Sequence, residues 1–208
     1  MHFRHLALAL SLLTSLAATS AGAVTFVGYD TSLPAGETLI TDFSNSAAAN
    51  LSGDGLFETG SYSFSAAPAF SASTRDPNQY LSLQTGQSET VSFAPMDTVS
   101  IYVGSLDSYN SISFSNGETF TGGQLAALTG AVDDGDQQSS SSNGRFIFNF
   151  SAPVTSVTLS SSNIAFEVAD IAGGVPEPAA WAMMLLGIGA VGAAMRAGRG
   201  RYKLTAAA

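Results

Sequence analysis

Between Val24 and Asp170 apolar residues alternate with Ser, Thr and Asn at every second position. That period is the one a half-buried strand produces, because successive side chains leave a strand on opposite faces. Val99, Ile101 and Val103 share one face of TVSIYVGS, and Phe146, Phe148 and Phe150 share one face of GRFIFNFS. The same spacing groups Tyr62 with Phe64, Val91 with Phe93, Ile112 with Phe114, and Ile164 with Phe166 and Val168. Each run is expected to turn these residues to a core and its hydroxyls to water. Turn chemistry separates the runs at Leu33-Pro34-Ala35-Gly36, Gly53-Asp54-Gly55, Asp76-Pro77-Asn78 and Asn116-Gly117, and the last pair predicts a tight hairpin. Helical spacing is confined to the stretch from Gly122 to Gly130, read as a short helix over one end of the sheets. Roughly nine short strands with regular turns predict an all-β fold, an antiparallel β-sandwich of jelly-roll type over residues 24–174. The polar run from Asp133 to Gly144 is expected to be a mobile surface loop.

The two ends break the alternation. Residues 1–23 start with His2, Arg4 and His5, continue with an apolar centre from Leu6 to Ala18, and close on Ala21, Gly22 and Ala23. This is the layout of a secretory signal peptide cut after Ala23 by signal peptidase, with Ala21 and Ala23 as the small residues at the cut. Near the other end, residues 179–195 are uncharged and are followed by Arg196, Arg199, Arg201 and Lys203. The reading is a transmembrane helix over 179–195 with a basic cytoplasmic end over 196–203, a short tail over 204–208, and Trp181 at the outer interface.

Charge and missing residue types then exclude whole classes of chemistry. Residues 24–175 hold 15 acidic residues against Arg75 and Arg145, so a nucleic-acid partner is excluded, since phosphate binding needs clustered cations. The chain has no cysteine, and both its histidines lie in the leader. Thiolate chemistry, His-based triads and zinc sites of Cys or His therefore cannot be assembled. Carboxylates remain. Asp107, Glu118, Glu167 and Asp170 are the candidates for a glycosidase pair, with no spacing that selects two of them. Asp133, Asp134 and Asp136 are candidate Ca²⁺ ligands in the acidic insert, and Asp30 with Asp170 a second possible calcium pair. Tyr102 and Tyr109 are candidate glycan contacts, as tyrosine offers a ring with a polar tip.

Pro176, Glu177, Pro178, Trp181 and Ala182, a Gly-bearing apolar stretch and the arginines at 196, 199 and 201 stand together over residues 175–203. This order resembles the PEPxxWA form of the PEP-CTERM sorting signal, a tail also labelled the ice-binding protein C-terminal domain. The resemblance implies recognition of Pro176-Glu177-Pro178, Trp181 and the three arginines by a membrane exosortase, and a polysaccharide-producing Gram-negative host. The segment from Ile101 to Gly122 and the closing FEVADIA are also similar to jelly-roll ectodomains found ahead of such tails. The expectation is an exported, non-enzymatic surface or extracellular-matrix protein. It would pass the inner membrane transiently, need no cofactor and act alongside exopolysaccharide; a lectin-like module is the alternative, ahead of a carboxylate-based hydrolase.

Overall fold

The computed structural model describes residues 23–44, 50–70, 79–174 and 178–201. Ten strands and two helices follow in chain order: β1 (Val24–Asp30), β2 (Thr38–Thr41), β3 (Leu51–Gly53), β4 (Leu56–Thr59), β5 (Gln79–Leu83), β6 (Ser88–Val103), β7 (Asn110–Phe114), β8 (Thr119–Thr121), α1 (Gly122–Thr129), β9 (Gly144–Ser161), β10 (Phe166–Gly174) and α2 (Pro178–Arg201). The strands form one open sheet in the order β4-β5-β10-β6-β9-β7-β8, with β1 beside β9, β2 beside β10 and β3 beside β6. All the pairings are antiparallel.

Two long strands organise this sheet. What the sequence divides into SETVSFA and TVSIYVGS is one strand, β6, of 16 residues, and β9 has 18. Their register runs from Ser88↔Ser160 to Val103↔Gly144 and shifts between Ser92, Met96 and Thr98. Pro95 and Pro153 stand at that irregularity; proline has no N–H for the ladder, so a bend is placed there. On one side of the bend β6 meets β3, and on the other it meets β10. The two arms share a core: the Phe114 ring of β7 lies 4.8 Å from those of Phe148 and Phe150, which belong to the other arm of β9. Val91, Val99, Ile101, Ile112, Phe146, Val157, Phe166 and Val168 complete it, all fully buried.

The tight hairpin and the short helix form where the sequence predicts them. Asn116-Gly117 closes the β7–β8 hairpin with Gly117 at φ 91°, a left-handed conformation that costs glycine nothing. Helix α1 begins with a capping box in which Thr121 and Gln124 exchange bonds, and ends at Gly130 with φ 79°.

Other expectations are corrected. Tyr62 and Phe64 do not enter the core; they sit in a loop, 50 % and 46 % exposed, with their rings stacked at 6.1 Å. Ile164 is likewise exposed, because β10 starts only at Phe166. The acidic insert is tied down from within: Ser142 Oγ donates to Asp134 at 2.7 Å, and Asn143 Nδ2 donates to the carbonyls of Asp136 and Ser139. The leader residues 1–22, Ala21 included, lie outside the described residues, as do Pro176, Glu177 and the tail 202–208. The expected transmembrane segment is residues 179–195. The segment is helical within the 24-residue α2, yet among the described residues no helix is long and apolar enough to cross a membrane.

The outer face of the arm around β10 is not wet. Ser82, Ser100, Tyr102, Arg145, Glu167 and Asp170 are all buried there. Two loop segments cover them: Tyr102 donates its hydroxyl to Ala69 O at 2.7 Å, and Ser100 donates to Glu37.

Candidate functional site

A cavity of about 210 Å³ opens at the end of the sheet where four connections meet. Ser63, Phe64 and Ser65 reach it from the loop after β4, Ser105, Asp107 and Tyr109 from the β6–β7 connection, Asp134 and Gln137 from the insert, and Ile164 and Glu167 from the entry to β10. The hairpin chemistry that begins β7 fixes one wall: Asn110 Oδ1 accepts from Asp107 N at 2.6 Å, and Asn110 N donates to Asp107 O. Backbone packing fixes the next: Gly122 approaches so closely that a Cβ there would lie 1.9 Å from Asp107 O.

The lining carboxylates are not equivalent. Glu167 is 2 % exposed and accepts from Ala66 N at 3.0 Å. Burial pushes its carboxyl up to about 7, with the Ala66 N–H opposing and Asp107 assisting. Burial also raises Asp107, and Asp134 and Asp133 add repulsion. Asp134 is held low by Ser142 Oγ and the Asp136 N–H. Tyr109 donates its hydroxyl to Ile164 O at 2.6 Å, and burial raises its phenol further. The cavity therefore combines hydroxyls, one low and two raised carboxyls, and an exposed aromatic flank of Phe64 backed by Tyr62.

Of the four carboxylates offered as a hydrolase pair, Asp107 and Glu167 share this cavity. Glu118 lies elsewhere, at the β7–β8 hairpin, where it accepts from Val24 N. Asp170 is buried against Arg145 at 2.5 Å. That pairing also separates it from Asp30, which is exposed and caps its own loop through Thr31 N and Ser32 N. Asp30 faces Arg145 in register, Arg145 faces Tyr102, and Tyr102 faces Asp170, so three strand spacings separate the two acids. The aspartates of the insert also serve internal bonds: Asp136 accepts from Gln138 N at 2.8 Å. Among the described residues no three acidic side chains gather as a metal cluster.

Tyr102 is corrected as a glycan contact, since it is fully buried under the Arg145 guanidinium 5.7 Å from its ring centroid. Its neighbours on the strand explain why: Ile101 and Val103 point to the core, so Tyr102 takes the opposite face, which a loop distant in sequence covers through Ala69. Tyr109 lines the cavity. Phe64 was missed as a site residue because its alternation with Tyr62 reads as a strand.

At the other end of the chain β10 closes at Gly174, and α2 starts at Pro178, the first-turn position that suits proline. Trp181, Arg196, Arg199 and Arg201 all fall on α2, and Arg196 is exposed. Residues 174–200 carry a PEP-CTERM protein-sorting motif. No curated protein matches the chain. The PEP-CTERM motif implies export, with sorting during membrane transit and exosortase as the processing partner. Its span opens on the last residue of β10.

Proposed function

We propose that this chain is an exosortase-sorted surface or extracellular-matrix protein of a Gram-negative bacterium, whose β-sandwich of jelly-roll type is non-catalytic and acts alongside exopolysaccharide. The observation that carries the reading is the PEP-CTERM motif at residues 174–200. Such a signal, placed directly behind a folded acidic ectodomain, serves delivery of that ectodomain to the outside. The test replaces Pro176-Glu177-Pro178 by three alanines. The wild type is expected to lose the residues from Trp181 onward and move outward, while the variant stays at full length in the inner-membrane fraction. A wild-type surface form whose intact mass still includes Trp181 and Arg196 would refute the sorting reading.

A second reading, saccharide contact at the cavity that Glu167 lines, is favoured by the exposed Phe64 ring standing beside Tyr109 and the lining hydroxyls. Binding on a glycan array that disappears in Phe64→Ala and Tyr109→Ala supports it; binding that survives both sends the contact elsewhere. Turnover of any bound glycan that is abolished by Glu167→Gln would make the protein a hydrolase.

A further inference from the structure

We infer that removal of the leader creates an ion pair, between the new α-amino group of Val24 and the carboxylate of Glu118, that locks the mature N-terminus to the β7–β8 hairpin. The inference rests on the export reading and goes beyond it. Val24 N lies 2.6 Å from Glu118 Oε2, which also accepts from Asn116 Nδ2 at 3.1 Å. Asn116 Oδ1 in turn accepts from Glu118 N, so the carboxylate is held in place from both sides of the hairpin turn. Strand β1 begins at Val24 itself, the first residue after the expected cut, and pairs with Phe150 there. No slack separates the cut from the fold.

The chemistry at this atom changes on cleavage. Water adds across the Ala23–Val24 peptide bond, Ala23 leaves with the leader as a carboxylate, and the Val24 nitrogen becomes an amine that takes up a proton. An amide N–H donating to a carboxylate is thereby replaced by an ammonium, so the attraction of a full positive charge is added to a bond that was charge-assisted on one side only. Among the described residues Glu118 is the one charged residue lining the cavity beside Val24, with Thr25, Val27, Phe120 and Leu128. The pair thus has no competitor there. One bond is given up: Ser151 N donates to Ala23 O at 2.9 Å, and Ser151 is exposed, so its N–H passes to water.

Amine labelling reads the lock, because Lys203 is the chain's single lysine and the α-amine is the one other amine. The full chain is expressed with its own leader, and the exported product is purified from the cell envelope. Intact mass gives its first residue. An acetylating ester is then applied across a range of pH, with the labelled site assigned by mass after digestion. The expected result is a chain starting at Val24 whose α-amine labels about tenfold more slowly at pH 7 than that of Glu118→Gln, the effect of about one pKa unit. The pH midpoint of wild-type labelling should stand above the ordinary α-amine range of about 7.7–8.0, and this measurement decides the matter if Glu118→Gln fails to fold. A start at Val24 with equal labelling rates, or with a midpoint in the ordinary range, overturns the lock and leaves export intact. A start at any other residue overturns the lock as well, and a chain that retains Met1 overturns the export reading too.

Discussion

Arg145 and Asp170 meet across an intervening strand. Arg145 stands on β9 and Asp170 on β10, with β6 between them, and the guanidinium passes over the Tyr102 ring to reach Asp170 Oδ1 at 2.5 Å. Ser100 Oγ accepts a second guanidinium bond at 3.1 Å. Both ions are about 4 % exposed, so losing one partner leaves the other charged and stranded. Arg145→Met and Asp170→Ala should each lower stability by about 3–5 kcal/mol. The double change Arg145→Met with Asp170→Leu should recover much of that loss. Urea denaturation of the three variants checks it; equal, additive losses would show that the ions are not coupled.

Stability should fall as pH rises from acid to neutral. Glu167 is raised from 4.5 to about 7 in the folded state. Between those values the folded chain keeps a proton that the unfolded chain has lost, so the contribution is fully present below 4.5 and is lost as pH rises through 7. Its size is on the order of 3 kcal/mol. Burial raises Asp107, Glu89 and Asp170 in the same direction, while exposed Asp30 and Asp134 are lowered and act oppositely. Thermal melts at pH 4.5 and 7.5 should show the decline, and Glu167→Gln, which still accepts from Ala66 N, should make it shallower. An unchanged slope in that variant would assign the decline to the other groups.

Two adjacent glycines should respond to alanine in opposite directions. A Cβ at Gly122 would meet Asp107 O at 1.9 Å, whereas one at Gly123 meets only the Asp133 carboxylate at 3.4 Å. Both residues lie in the first turn of α1. Gly123→Ala should stabilise by up to about 1 kcal/mol through helix propensity. Gly122→Ala should cost about 1–3 kcal/mol and displace Asp107 from the cavity wall. Melting temperatures of the two variants decide.

Calcium should leave the melting temperature unchanged. Asp134 and Asp136 already accept from Ser142, Asp136 N and Gln138 N, and among the described residues no three acidic side chains form a metal-binding group. A rise in melting temperature on adding millimolar Ca²⁺, reversed by chelator, would instead reveal a site through binding to the folded state alone.

Strand content was legible because period-two alternation is a local property, and it survives wherever one face is buried: Val99, Ile101, Phe146 and Phe148 all lie where alternation puts them. Tyr62 and Phe64 carry the same pattern yet lie exposed, since alternation does not say whether a partner strand arrives. The union of two runs into β6 was hidden by Pro95, which reads locally as a break and acts as a bend. The covered face of Tyr102 was equally out of reach. It depends on loop residues more than thirty positions away, with Ala69 supplying the acceptor. Asp107 and Glu167 were named as carboxylates, but only the sheet order brings them to one cavity. The sorting signal needed no fold to be read, because its residues are contiguous.

The exit point of the chain has a mechanical consequence. The PEP-CTERM segment leaves from β10, which is gripped by β6 along one edge and by β5 and β2 along the other. A tether attached there pulls along the axis of an interior strand. Its hydrogen bonds to both neighbours then bear the load together in shear, instead of peeling one after another as they would from a marginal strand such as β4 or β8. An ectodomain pulled by this end during membrane transit is therefore gripped along both edges of β10.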